Sequence, residues 1–93
     1  MDTTEARAIL AEQLARYRTN SYARLRDLID SQDVLEIRGP SGAVYQLEIE
    51  AVWDERPEGN LRVIGSIDDR GVRALVPITD DFILAPNGSF IGE

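Results

Sequence analysis

The sequence predicts an α+β domain, in which N-terminal helices pack on one face of an antiparallel meander sheet of four to six strands. No Gly or Pro occurs before Gly39, and all seven Gly and four Pro lie from there onward, so a helical part precedes a part rich in turns. Apolar residues recur every three or four positions in the first part and every second position in the remainder. With 93 residues, we expect one domain, with residues 1–32 helical and residues 33–93 forming the sheet.

The helical part is expected to begin with a helix from about Thr3 to Tyr17. Asp2 is a suitable N-cap, and Glu5 follows it at the spacing of a capping box. The apolar residues of this segment form one stripe, which consists of Ala6, Ile9, Leu10, Leu14 and Tyr17. The helical spacing of apolar residues is interrupted at the cap-forming residues 19–21. A second helix is predicted for residues 21–30. A single kinked helix is the alternative.

The remainder of the chain alternates with a period of two. It predicts strands at about 34–39, 43–54, 60–68 and 72–78, with a short final pair at about 82–85 and 89–91. In the second strand, the odd positions from Tyr45 to Trp53 are apolar, whereas Gln46, Glu48 and Glu50 occupy even positions. We therefore expect the odd-numbered face, including Trp53, beneath the helices and the even-numbered face in solvent.

Short turns are predicted between these strands. Four segments combine Gly with Pro or Asp, namely 40–42, 57–59, 69–71 and 86–88. In each of them, Gly is expected to take the positive φ. Pro77 removes a backbone donor, so a further turn is predicted at Thr79-Asp80-Asp81.

The composition excludes several kinds of catalysis. The chain has no His and no Cys, and all ten of its basic residues are Arg. A Ser-His-Asp or Cys-His nucleophile, a Schiff-base lysine and a P-loop lysine are therefore ruled out, as are a disulfide and thiolate or imidazole zinc ligands. General acid–base catalysis would depend on carboxylates or Tyr. We predict a protein that is not an enzyme and binds no cofactor.

The expected compartment is the cytosol. No apolar run approaches the roughly 20 residues that span a bilayer, so no membrane partner is predicted. The first five residues are acidic and polar, unlike the basic start of a secretory leader.

Negative charge is concentrated in the predicted sheet. Residues 1–30 contain five acidic and five basic side chains, whereas residues 31–93 contain twelve acidic and five basic ones, which gives the formal net charge of −7. Such a field attracts a basic protein partner. We therefore predict a protein–protein interaction domain that binds and neutralises a basic protein, by analogy with immunity proteins, or that associates with itself as a homo-oligomer.

The even-numbered sheet face is the candidate interaction surface. Its members are Glu36, Arg38, Val44, Gln46, Glu48, Glu50, Val52, Arg62 and Ile64, with Val34, Ser66 and Arg73 beside them. These charges are also compatible with a ladder of cross-strand ion pairs, each worth a few tenths of a kcal/mol. The β-branched apolar residues among them are compatible with an ordinary solvated face and also with a docking surface. Trp53 would become an interface anchor if it were exposed at the end of its strand.

A carboxylate metal site is the alternative function. The acidic doublets at 54–55, 68–69 and 80–81 supply oxygen ligands suited to Mg²⁺ or Ca²⁺, and Asp54, Asp68 and Asp80 would form the site of a metal-binding module or a metal-dependent enzyme. Adjacent residues on a strand point to opposite faces, however. Each doublet also lies at a predicted turn, where Asp forms local hydrogen bonds.

A basic and aromatic segment between residues 16 and 26 suggests a third function. Four arginines, Arg16, Arg18, Arg24 and Arg26, alternate with two tyrosines and no carboxylate, a composition able to hold phosphates and stack bases. The acidic field of the sheet would repel a nucleic-acid backbone. We therefore expect these arginines to contact the protein's own carboxylates and predict no nucleic-acid partner.

The second half of the chain resembles a small family of uncharacterised bacterial domains. The resemblance rests on residues 45–49 (Tyr-Gln-Leu-Glu-Ile), Trp53-Asp54, Ile67-Asp68-Asp69 with Gly71, Pro77, and above all residues 80–93. It extends over most of the chain after Tyr17 and implies a single α+β domain. It implies no activity, ligand or catalytic residue.

Overall fold

The computed structural model describes residues 2–69 and 77–93, and within them it confirms the α+β architecture. Two helices come first, α1 (Thr3–Tyr17) and α2 (Tyr22–Arg26). The strands are β1 (Asp33–Arg38), β2 (Val44–Trp53), β3 (Leu61–Asp69) and β4 (Ile78–Leu84). They form one antiparallel sheet in the order β1-β2-β3-β4, which is the predicted meander. Neither described helix is long and apolar enough to cross a membrane.

Helix α1 has the predicted bounds, but only half of the capping box forms. The Asp2 carboxylate accepts a hydrogen bond from the Glu5 N–H at 3.0 Å. The Glu5 carboxylate accepts hydrogen bonds from the Ser41 N–H at 3.1 Å, from Ser41 Oγ at 2.7 Å and from Tyr45 Oη at 2.8 Å. Gly39 makes room for it, because a Cβ there would lie 2.7 Å from the carboxyl carbon. Glu5 therefore fastens the start of α1 to the β1–β2 turn.

The helical part consists of two helices, the second shorter than the predicted 21–30. Ser21 is the N-cap of α2 and accepts a hydrogen bond from the Arg24 N–H at 3.2 Å. After Arg26 the backbone bonds span three residues, as in Ile29 N–H to Arg26 O at 3.0 Å, which is the tighter 3₁₀ pattern. Asp30 then takes a positive φ of 61° and directs the chain into β1.

The predicted alternation is confirmed in β2. Tyr45, Leu47 and Ile49 are fully buried, whereas Glu48 and Glu50 are exposed. Trp53, at the end of the strand, is half-buried and packs against the edge of the core. Its side chain is therefore neither a fully buried core residue nor a fully exposed one.

Strand β4 differs from the prediction. The expected turn at Thr79-Asp80-Asp81 is wrong, because these residues lie inside β4 and pair with Ser66, Gly65 and Ile64 of β3. The buried positions become even-numbered here, with Phe82 and Leu84 in the core. The predicted final pair is reduced to a bridge between Leu84 and Phe90. The strand predicted at 72–78 lies almost entirely outside the described residues, as do most of the 69–71 turn and Arg73.

Three of the predicted Gly-containing turns, 40–42, 57–59 and 86–88, lie within the described residues, and two of them follow the predicted chemistry. Gly42 and Gly88 both take a φ of 91° and close equivalent three-residue turns, in which Gly39 bonds to Ala43 and Ala85 to Ser89, each at 2.8 Å. In the 57–59 turn the positive φ belongs to Glu58, at 66°, and not to Gly59, because Pro57 and a left-handed second residue form a type II turn.

The helices cover the inner face unevenly. Helix α1 lies over β3 and β4, and α2 lies over β3. Close approach is possible at Gly65, where a Cβ would lie 2.8 Å from Leu10 Cδ1 and 3.1 Å from Leu14 Cδ2. Strand β1 is left at the margin, so its inward residues Leu35 and Ile37 are only half-buried.

Candidate protein-binding surface

The sheet surface opposite the helices is defined here as the outer face. It consists of Val34, Glu36 and Arg38 of β1, Val44, Gln46, Glu48, Glu50 and Val52 of β2, Arg62, Ile64, Ser66 and Asp68 of β3, and Thr79, Asp81 and Ile83 of β4. Every residue predicted for the interaction surface lies on it, apart from Arg73, which is outside the described residues. Asp54 adjoins it at the end of β2.

The predicted ladder of ion pairs does not form along the centre of this face. Glu48 lies opposite Val34 on one side and Ser66 on the other, and Glu50 lies opposite Ile64. Within residues 2–69 and 77–93, neither glutamate takes part in a salt bridge. Two exposed carboxylates are therefore held beside apolar neighbours on a rigid strand.

Apolar side chains accompany these carboxylates. Val34 is 55% exposed and Val52 is 42% exposed, and Val44 and Ile64 are half-buried. Isolated exposed valines are ordinary on a protein surface. Here they flank Glu48 and Glu50 on a pleated surface, so the outer face combines negative charge with apolar contact area.

Arg62 is the ionic centre of one end of the outer face. Its guanidinium bonds to the Asp54 carboxylate, with Nη2 at 3.0 Å from Oδ1, and also to Asp81. The hydrogen bonds that the guanidinium donates to these carboxylates, the one to Asp54 first, raise the pKa of Arg62. The other outer-face arginine among the described residues, Arg38, donates to the Gly42 carbonyl oxygen at 3.2 Å. The carboxylates of the face consequently outnumber its cations.

The arginines proposed for nucleic-acid contact are mostly paired within the protein. Arg16 pairs with Glu12 at 3.3 Å, and Arg26 pairs with Glu58 at 3.2 Å. Arg18 forms a two-point pair with Glu93, one arm at 2.7 Å. Arg24 has no salt bridge with a described residue. These four side chains do not assemble a continuous cationic surface.

The two tyrosines of that segment are also engaged. Tyr17 Oη donates to Asp33 Oδ2 at 2.6 Å, and Tyr22 Oη donates to the Gly59 carbonyl oxygen at 2.6 Å. Burial, followed by the Asp33 hydrogen bond, raises the pKa of Tyr17. Their roles are to join the helices to the sheet, and Tyr17 lies in an open cleft of about 470 Å³ between the helices and β1.

The three aspartates of the proposed metal site do not converge. Asp54 follows the end of β2 that carries Trp53, whereas Asp68 lies at the other end of the sheet, opposite Gln46. Asp80 lies opposite Gly65, in register with the inner face. Among the described residues, no three acidic side chains are grouped to hold a metal ion. Asp54 and Asp68 are separated by the length of the β2–β3 ladder, and the β4 register places Asp80 inside a strand and not in the expected turn.

Four outer-face residues were not predicted, of which one is Asp68 at the end of β3 and three belong to β4. Thr79, Asp81 and Ile83 belong to the face because the buried positions of β4 are even-numbered. Phe82 and Leu84, two apolar residues at a spacing of two, carry the signal that would have revealed them. The Asp81–Arg62 pair depends on this change of parity.

A comparison of the chain with protein-family models, with curated proteins and with solved structures finds no match in any of the three. The resemblance to a bacterial family therefore stays a prediction, and the surface has to be interpreted from its own chemistry.

Proposed function

We propose that this protein is a non-catalytic, cytosolic binding domain that holds a basic protein partner against its outer sheet face. The observation that supports the proposal is the position of Glu48 and Glu50, two exposed carboxylates without a salt bridge to any described residue. They stand beside the exposed valines Val34 and Val52.

The charge distribution supports a basic partner in particular. The helix-side arginines Arg16, Arg18 and Arg26 are matched with carboxylates of the same chain, so the net charge of −7 is expressed mainly through the sheet. A negative surface of this kind accelerates encounter with a positive one and makes the association sensitive to salt. The apolar neighbours supply contact area that is buried when the two charged surfaces associate.

The test compares two variants that change net charge equally. One carries Glu48→Lys and Glu50→Lys on the outer face, and the control carries Glu12→Lys and Asp27→Lys, both exposed on the helix side. Wild type and both variants are immobilised and exposed to a native lysate at low salt. A specific protein retained by wild type and by the control, but lost with the outer-face variant, is expected.

Calorimetry with the purified captured protein then measures the affinity against salt. Binding that weakens as salt rises, by an amount set by the number of charge contacts, supports the proposal. Equal retention by wild type and by the Glu48→Lys, Glu50→Lys variant would show that the outer face is not the binding surface.

A further inference from the structure

The two edges of the sheet differ in how they are protected. At the β4 edge, the Ile91 N–H donates to the Ile83 carbonyl oxygen at 2.9 Å, so the chain's last segment covers one half. In the other half, the Asp81 N–H is bonded by its neighbour's side chain, Asp80 Oδ1, at 2.8 Å. A chain segment that covers the edge, or a side chain that bonds to the edge backbone, hinders pairing of that edge with a strand of another sheet.

The β1 edge has no such protection among the described residues. Gly39 N–H bonds to Ala43 O at 2.8 Å, and the hydrogen-bonding direction alternates along an antiparallel pair. The backbone groups of Val34, Glu36 and Arg38 are thus directed away from β2. Strand β1 contains neither Pro nor Gly, and no described strand pairs with its outward side.

The inner side of this edge is also incompletely covered. Helix α1 lies over β3 and β4, and an open groove of about 590 Å³ separates it from β1. Ile9, Leu35 and Ile37 contribute apolar lining to the groove. A strand added beside β1 would extend the sheet on the side away from α1 and bring apolar side chains next to Ile37.

We propose that the β1 edge pairs with the β1 edge of a second copy of this chain, giving a two-fold dimer with a continuous eight-stranded sheet. The sequence of β1 favours a copy of itself as the occupant. In the antiparallel register that places Ile37 opposite its counterpart, Glu36 of each copy faces Arg38 of the other. Opposite charges that face each other across a strand pair are stabilising.

Neighbouring registers are less favourable. If the two strands are centred on Glu36, the two Glu36 side chains face each other and repel. If they are centred on Leu35, Glu36 of each copy faces Val34 of the other and has no opposite charge across the pair. Glu36 already interacts within its own chain. The dimer does not need that interaction broken, because a carboxylate accepts several hydrogen bonds.

The expected dimer is concentration-dependent. One short strand on each side buries less than the roughly 1,200 Å² that separates weak from stable interfaces. Sedimentation at increasing protein concentration should therefore show a monomer passing to a dimer. A monomer at every concentration would overturn the proposal.

Proline variants locate the interface. Glu36→Pro removes an outward N–H inside the overlap of residues 36–38 without breaking a bond to β2, and it should weaken dimerisation roughly tenfold or more. Thr79→Pro makes the matched change on the β4 edge and should leave the dimer intact. Equal loss in both variants, or loss only with the Glu48→Lys, Glu50→Lys variant of the outer face, would reject the β1 edge.

A charge exchange tests the register and does not depend on the proline variants folding. Glu36→Arg alone sets two arginines opposite each other, and Arg38→Glu alone sets two glutamates together, so each variant should remain monomeric. Mixed in equal amounts, the two variants should form a heterodimer. In this heterodimer, position 36 of each copy faces position 38 of the other, and both facing pairs carry opposite charges. Failure of the mixture to dimerise, while wild type does so, would show that this register is wrong.

Discussion

Glu5 is the residue with the most consequential contacts in the structure. One carboxylate receives hydrogen bonds from Ser41 and Tyr45 and so links α1 to the β1–β2 turn. The hydrogen bonds from Ser41, followed by the one from Tyr45, lower the pKa of Glu5 below its ordinary value of 4.5. Burial, together with the Glu5 hydrogen bond, raises the pKa of Tyr45 to about 12.

The lowered pKa of Glu5 predicts a particular dependence of stability on pH. A carboxyl group whose pKa is lowered by folding stabilises the folded state above its unfolded pKa of 4.5, and this contribution is lost as the pH falls through the folded pKa. In a Glu5→Gln variant the contribution is absent at all pH values. Denaturant unfolding between pH 7 and 3 should therefore show the gap between wild type and variant narrowing below about pH 4.5.

Glu12→Gln is the matched control for this experiment, because Glu12 makes only an exposed pair with Arg16 on the same helix. Its stability should stay close to that of wild type at every pH. If the gap between wild type and Glu5→Gln stayed constant across the range, the hydrogen bonds to Glu5 would not be the source of the effect.

The sequence predicts the local hydrogen bond between Asp2 and the Glu5 N–H, but it does not predict the contacts of the Glu5 carboxylate with Ser41 and Tyr45. The Asp2 cap depends on a residue three positions away, and the sequence displays that spacing directly. The partners of the Glu5 carboxylate are 36 and 40 positions away. They are brought near only by the packing of α1, which no local pattern encodes.

Among the elements, the contact of α1 with β3 depends on the absence of a side chain at Gly65. Leu10 and Leu14 of α1 pack directly against this position. Ile49 of β2 also borders it, and its Cδ1 atom lies 3.1 Å from the place that a Cβ would occupy. The backbone at Gly65 has no positive φ. The requirement for Gly is therefore one of space.

Gly65→Ala should destabilise the protein by about 1–3 kcal/mol, the usual cost of overpacking a core. Ser66→Ala, on the neighbouring outer-face position, should change stability by far less. In a Leu10→Val background the added methyl group has more room, so the cost of Gly65→Ala should fall. Additive effects of the two substitutions, measured by denaturant unfolding, would contradict direct contact.

The elements that were predicted well are those with strong internal periodicity. Helix α1 and strand β2 carry uninterrupted apolar patterns, and their bounds match closely. Strand β4 was misjudged because Asp80 and Asp81 are poor strand formers. The ladder with β3 overrides that preference, and their exposed side chains remain in solvent.

For the molecule as a whole, the separation of charge between helices and sheet is the property on which the proposed function depends. It was predictable from counting charges along the chain, and so was the set of even-numbered outer-face residues. Which carboxylates would lack a partner was not predictable. That outcome depends on register, which places Arg62 between Asp54 and Asp81 and leaves Glu48 and Glu50 beside apolar residues.

The negative charge of the outer face should reduce stability. Glu48 and Glu50 point from the same face of β2 and repel each other and the remaining carboxylates. The variant Glu48→Gln, Glu50→Gln should therefore be more stable than wild type at low salt, by about 0.5 kcal/mol. Thermal unfolding should show the difference disappearing at high salt, where the repulsion is screened. An advantage that persisted undiminished in high salt would mean that its origin is not electrostatic.

The order of the strands also has a consequence for how the chain acquires its structure. Each ladder joins strands that follow one another in sequence, a topology of short loop closures that favours rapid folding. Helix α1 is different, because it precedes β3 and β4 in the chain and yet packs on both of them. The apolar side chains of Leu10 and Leu14 therefore reach their packing partners only after both strands have been synthesised.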